Sequence, residues 1–277
     1  MINKMKVSVI LPWAGEPKET LAFAIQSVNQ QTSKPFEKIL IIAKIDLVIS
    51  QELNPLLVDW KVISPNKNCL PGEARNFGFR NLNIQSTHIL LLDADDISHP
   101  DRIAQLSSIF IDGKCKVIGS QAVLFKQSNK SSQIKFFGYP KVELLEEKIK
   151  SALLKNRIPM VMASIMFDRR IIDYQIAYRE DLQRSEDLEF LKLIISRGFP
   201  VMNIDKVLYA YRRKPLQKIA DYRLDVKSRG VNNFLVLRYI MHLAKRIFFF
   251  VWRVNTTFEW KKIAKDFEIN IKSLTGL

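Results

Sequence analysis

The feature that most constrains this chain is a short apolar run, His88-Ile89-Leu90-Leu91-Leu92, that stops abruptly in Asp93-Ala94-Asp95-Asp96. A run of this length and content predicts a buried strand. Carboxylates at its end put negative charge at the carboxyl edge of a sheet, where open α/β sheets take their ligands. Acidic groups spaced this closely repel one another at low effective dielectric, so a divalent cation or a hydroxyl-bearing ligand is expected to satisfy them. The alternative is a solvated acidic turn capping the next helix, because Asp is a common N-cap and Ser98-His99-Pro100 follows.

Strand-like and helical patterns alternate around this point. Residues 7–11, 38–42, 61–63 and 89–92 are short β-rich runs, with helical patterns at 20–29 and 73–82 between them. Such alternation predicts an α/β fold with a mostly parallel sheet and helices on both faces. Beyond Asp96 the pattern predicts a helix at 101–110 and strands at 117–125 and 134–137, separated by a polar break at 127–133. Helices at 141–155 and 187–196 and a strand at 207–211 follow, and no internal repeat is present. A length of 277 residues with 47 % hydrophobic content fits one α/β domain over 1–215 with a helical appendage over 216–277.

Composition narrows the partners. Cys69 and Cys115 form no metal spacing and no disulfide framework, which fits a reducing compartment. Histidine occurs only at 88, 99 and 242, which excludes a histidine-rich metal site. No signal peptide precedes the first strand, and the apolar stretch 234–252 is interrupted by Arg238, Lys245 and Arg246, short of the roughly 20 apolar residues of a membrane span. A cytoplasmic protein is expected.

Residues 201–277 hold 16 Lys and Arg against 6 Asp and Glu, so this stretch supplies +10 of the +15 net charge. Arg238, His242, Lys245 and Arg253 share one helical face, and the opposite sides are apolar with Trp252 nearby and Trp260 beyond. A basic amphipathic helix of this kind suits an anionic membrane surface. It equally suits packing on the catalytic domain or on a second subunit in a homodimer. No nucleic-acid partner is expected, because the aromatics are clustered anchors rather than interleaved stacking platforms.

The stretch Gly72-Glu73-Ala74-Arg75-Asn76-Phe77-Gly78, followed by the strand and Asp93-Ala94-Asp95-Asp96, resembles the family 2 glycosyltransferases, which have a Gly-x-Ala-Arg-Asn-x-Gly stretch before an Asp-x-Asp-Asp signature. Val7-Ser8-Val9-Ile10-Leu11-Pro12 resembles the family's first strand, residues 21–32 its first helix, and Ser185-Glu186-Asp187-Leu188 its Glu-Asp motif at a helix start. The resemblance runs over roughly residues 5–215. It implies a GT-A fold, a Rossmann-like α/β arrangement, and inverting transfer from a nucleotide-sugar donor to a glycan or lipid-linked acceptor. Bacterial surface polysaccharide synthesis (capsule, O-antigen or lipooligosaccharide), at the cytoplasmic face of the inner membrane, is the setting that this implies.

The resemblance also implies roles. Asp93 would face the donor, with Ala94 beside it, and Asp95, with Asp93, would hold Mg²⁺ or Mn²⁺, Asp96 helping. Asp187 would be the general base, with Glu186 beside it. An ordinary helix N-terminus, with Ser185 as cap and acids complementing the dipole, is the competing account of that pair. Arg75 would contact the donor or else pair with Glu73 or Asp93, and Pro12, Trp13 and Ala14 would line the nucleotide pocket, Trp13 stacking on a base or filling space. Two departures stand out. The second strand ends in Ala43-Lys44-Ile45-Asp46 where relatives carry paired Asp residues, and Lys214 occupies the His position of a Tyr-Arg-x-His motif. Arg212, Arg213 and Lys214 would then neutralise the leaving diphosphate, making metal dependence weak. A catalytically silent relative that binds a nucleotide-sugar or glycan, or serves as an assembly partner, is the alternative from another class.

Overall fold

The computed structural model describes residues 5–110, 116–127, 134–138 and 142–213. The expected helical appendage at 216–277 and Lys214 lie outside the described residues. One mixed sheet holds the strands β1 Val7–Trp13, β2 Glu37–Ile42, β3 Lys61–Ile63, β4 His88–Leu91, β5 Ile97–Ser98, β6 Val117–Gln127, β7 Ile134–Gly138, β8 Met166–Asp168 and β9 Val201–Arg212. Their order is β3-β2-β1-β4-β8-β6-β9-β5, with β7 paired to β6. The half containing β3, β2, β1 and β4 is parallel, whereas β8 runs antiparallel between β4 and β6.

The central strands are buried on both faces, as parallel strands covered by helices must be. Along β1, Val7, Val9, Leu11 and Trp13 enter one core and Ile10 the other. Leu40, Leu90 and Leu92 join the first, while Ile39, Ile41, Ile89 and Leu91 join the second. Helices α1 Lys18–Asn29 and α3 Arg102–Phe110 close the first face. The second face is covered by α2 Pro71–Arg80, α4 Glu146–Leu154 and α6 Glu186–Ser196, with the short α5 Arg170–Asp173 beside them. Gly78 lets α2 lie against the sheet, since a Cβ there would come within 3.0 Å of Ile41 Cδ1 and 3.1 Å of Ile10 Cγ2.

Several boundaries differ from expectation. The last strand spans 201–212 rather than 207–211, because β6 pairs with it in parallel along its length from Val117↔Val201 to Phe125↔Arg212. Helix α4 begins at Glu146, not at 141: the preceding residues are extended, with the Glu143 N–H donating to the Pro159 carbonyl and the Leu144 carbonyl accepting from Asn203. Strand β8 has only three residues and no periodicity to announce it. Among the described residues no helix is long and apolar enough to cross a membrane.

With β2 on one side of β1 and β4 on the other, the strand order reverses at β1. The crevice outside the carboxyl ends of β1 and β4 is therefore the switch point where ligands bind in open α/β sheets. Residues 12–14 and 93–96 end there.

Candidate active site

The two acidic clusters meet on one cation. Arg75, in α2, is 6 % exposed at its side chain and donates from Nη2 to Asp93 Oδ1 at 2.9 Å. Its other terminal nitrogen, Nη1, lies 3.4 Å from Glu186 Oε1 and 3.5 Å from Asp187 Oδ1. Thus the end of β4 and the start of α6, about ninety positions apart, are tied by a planar fork suited to several carboxylates at once. Of the pairings expected for Arg75, Asp93 is realised and Glu73 is not: Glu73 is bound by Lys67.

The residues around Arg75 explain why α2 has this composition. Gly72 allows the chain near α6 to approach, for a Cβ there would stand 3.0 Å from the Arg179 carbonyl oxygen and 3.0 Å from Tyr178 Cβ. Asn76 clamps Tyr178 by its backbone, donating to the Tyr178 carbonyl at 2.9 Å and accepting from its N–H at 3.0 Å. The Tyr178 ring then lies under the Arg75 guanidinium at 5.2 Å, a favourable cation–π arrangement.

Ser185 does not cap α6. Its φ is 66°, in the left-handed region, and its side chain makes no cap hydrogen bond. Glu186 and Asp187 therefore enter the helix turned towards Arg75, and the helix N-terminus also favours their charge. Burial pushes the Asp187 carboxyl up to about 6, Arg75 opposing the rise and Glu186 and Asp93 adding to it. Its Oδ1 is inaccessible to water and its side chain is 26 % exposed, so the exposure lies on the Oδ2 side. A carboxylate held on one oxygen and open on the other, with a pKa near neutrality, has the form of a general base. Arg75 itself is penalised by burial, but Asp187, Asp93 and Glu186 more than compensate and keep it firmly protonated.

Asp93-Ala94-Asp95-Asp96 forms a tight turn in which the Asp96 N–H donates to the Asp93 carbonyl at 3.2 Å. Ala94 is buried, Asp93 and Asp95 are partly exposed, and Asp96 is 1 % exposed. Asp96 is tied into the fold through both its oxygens: Oδ2 accepts from the Tyr209 hydroxyl and Oδ1 from the Arg212 N–H, each at 2.7 Å. Burial, with Asp95 and Asp93 nearby, pushes its carboxyl far above the ordinary range. Arg212 reaches the turn as well, donating from Nε to the Asp95 carbonyl at 2.7 Å over the Phe125 ring. Among the described residues no group of three or more Asp, Glu, His or Cys side chains surrounds a cation position. Asp93 and Asp95 offer hard oxygens from one turn, a sparse set that fits a cation completed by phosphate oxygens rather than an all-protein cage.

Other expected positions divide. Pro12 and Ala14 are half-buried at the end of β1. Trp13 is 6 % exposed within the core, and its indole N–H donates to the Glu16 carbonyl at 2.9 Å, so it fills space and offers no stacking face. Lys44 and Asp46 are exposed in the loop after β2. Residues that sequence reasoning gave no role include Tyr178, Tyr209 and Arg102. Arg102 is wholly buried, donating to the carbonyls of Leu91 and Ala163 at 2.9 Å, with its guanidinium 5.0 Å from the Tyr209 ring. Its only signal was a cation on the buried stripe of α3 with Ile103 and Leu106; Tyr178 and Tyr209 carried none.

The family model for glycosyl transferase family 2 matches residues 8–176. An uncharacterized glycosyltransferase of Methanocaldococcus jannaschii, MJ1057, is 25 % identical over 265 residues, covering 91 % of this chain and 86 % of that protein. Among solved structures, S. aureus TarS 1-349 in complex with UDP-GlcNAc superposes with a TM-score of 0.58 at 19 % identity, over 78 % of this chain and 61 % of that one. The same TarS fragment in complex with UDP gives 0.55 at 20 % identity, over 76 % and 61 %. The chain thus spans about three fifths of the length of these structures, and the likeness establishes a shared GT-A architecture.

Proposed function

Because the chain belongs to glycosyl transferase family 2, we propose that it transfers a sugar, with inversion, from a nucleotide-sugar donor to a hydroxyl of a glycan or lipid-linked acceptor. The observation that carries this reading is the convergence of the Asp93–Asp96 turn and the Glu186–Asp187 pair on Arg75 at the switch point of the sheet. The TarS structures with UDP-GlcNAc and UDP support a nucleotide-sugar as the donor class.

In this reading the open oxygen of Asp187 takes the proton of the acceptor hydroxyl. The acceptor oxygen bonds to the anomeric carbon from the face opposite the leaving group, and the pair of the breaking carbon–oxygen bond departs on the diphosphate. Asp93 and Asp95 would hold a Mg²⁺ or Mn²⁺ ion, which would offset the charge on that diphosphate. Arg212 adds positive charge near the same turn, and Lys214 would join it by family resemblance, so metal dependence is expected to be partial. Pro12, Ala14 and Ala94 border the donor crevice. Glu186 anchors Arg75 so that the base keeps its place. Residues 1–215 form the transferase domain, and the basic region 216–277 brings it to an anionic membrane surface carrying the acceptor, in bacterial surface polysaccharide synthesis.

The test is a panel of nucleotide-sugars screened for thermal stabilisation with and without Mn²⁺, since a bound donor raises stability by mass action. Stabilising donors are then assayed for hydrolysis and transfer, with and without chelator. Donor turnover that persists at a reduced rate in chelator is expected. A donor that binds but is never turned over would favour a catalytically silent relative, and no stabilisation by any donor would sink the proposal.

A further inference from the structure

Asp187 is met from every side by named groups: Arg75 from α2, Asp93 from the end of β4, Glu186 beside it on α6, Tyr211 from β9, and Tyr178 from the segment before α6. Arg75 has the ion pairs already described, but Tyr178 has no role so far beyond supporting it. Its hydroxyl is anomalous. It is fully buried and completes no hydrogen bond, a condition that costs stability in a folded protein.

The ring is held too firmly for this to be a loose end. Asn76 fixes its backbone on both sides, at 2.9 and 3.0 Å. Phe190, one turn along α6 from Asp187, stacks on it with centroids 4.0 Å apart and planes 15° apart. Phe79 of α2 flanks it at 6.1 Å and the Arg75 guanidinium lies 5.2 Å from its centroid. A ring clamped between α2 and α6 carries its hydroxyl to one place only. The same guanidinium that lies over this ring reaches Asp187, whose inner oxygen Oδ1 is also fully buried without a hydrogen bond, with Arg75 Nη1 at 3.5 Å. After burial, Arg75, Glu186 and Asp93, Tyr178 also acts on the Asp187 carboxylate and favours its charged form.

We infer that Tyr178 is a positioning residue for Asp187: with Arg75 it holds the inner oxygen of the carboxylate, and so keeps the outer oxygen directed at the acceptor hydroxyl. The contact tightens to a full hydrogen bond when substrate fills the crevice, as catalytic hydrogen bonds commonly do. This rests on the assignment of Asp187 as base, but it can be tested apart from it.

The experiment uses the whole chain with ¹³C-labelled Asp carboxyls, the Asp187 resonance being identified by its loss in Asp187→Asn. In the wild type the midpoint of its titration is expected near about 6. In Tyr178→Phe, which keeps the ring and its stacking, the midpoint should move up by about half a pH unit or more, because a group that favours the carboxylate is lost. The acidic limb of kcat against pH should move with it while the donor KM stays unchanged. Thermal unfolding of the variant should remain a single cooperative transition, which shows that it is folded. An unmoved Asp187 midpoint in a folded Tyr178→Phe protein overturns the inference. Normal transfer by Asp187→Asn would instead overturn the base assignment, and the carboxyl titration would still decide the place of Tyr178.

Discussion

Replacing Asp187 by Asn should stop the enzyme and stabilise the fold. In the wild type, burial raises this carboxyl from 3.8 to about 6 in spite of Arg75. The charged form is therefore disfavoured in the folded state by about 3 kcal/mol relative to the unfolded chain. A carboxyl whose folded pKa lies above its unfolded value binds its proton more tightly when folded. Stability consequently declines as pH climbs from 3.8 to about 6, stays reduced above that, and recovers on acidification. Asparagine has the shape of the neutral acid and escapes this cost. Because 26 % of the side chain meets water, solvent relaxation lowers the expected gain at pH 8 to about 1–3 kcal/mol. Urea unfolding of both proteins at pH 4, 6 and 8 measures it, and the gain should shrink steadily towards pH 4. Transfer should fall by about a hundredfold or more at all pH values. A variant less stable than the wild type at pH 8, or a difference that ignores pH, would refute the account of Asp187 as a buried, strained base.

Arg75→Met keeps an apolar stem but leaves Asp93, Glu186 and Asp187 facing one another without their cation, and should cost about 3–5 kcal/mol at pH 8. The loss should be smaller at pH 5, where protonation relieves the repulsion, and a loss below about 1 kcal/mol at both pH values would contradict the hub role. Gly72→Ala drives a Cβ to 3.0 Å from the Arg179 carbonyl and from Tyr178 Cβ, which must displace the chain leading into Asp187. Steady-state kinetics should show kcat down by about tenfold or more, against a stability change of only about 1–3 kcal/mol. An unaltered kcat would show that the approach of α2 to this segment does not set the base.

Local chemistry made much of this molecule readable. The short β-rich runs at 7–11, 38–42 and 89–92 became β1, β2 and β4, because a brief apolar, β-branched run bounded by turn residues is a property of the segment itself. The Asp run at a strand end fell at the carboxyl edge for the same reason, while the pairing of its neighbourhood with residues 186–187 came from family resemblance and not from any local rule. The stretch Gly72 to Gly78 was recognised as a pattern, yet its meaning was not: the glycines, Arg75 and Asn76 each answer to atoms more than thirty positions away or across a strand.

Position in sequence alone thus determined the class of fold, the parallel half of the sheet and the place of the acidic turn. Only the tertiary structure decided that Asp96 is an internal anchor, that Trp13 is core, that Ser185 turns the chain instead of capping it, and that Tyr178 stacks on Phe190. The reason is that dihedral preference and apolar periodicity act between neighbours, whereas an ion pair, a ring stack or a shared buried proton exists only when distant segments are brought within a few ångströms and water is removed.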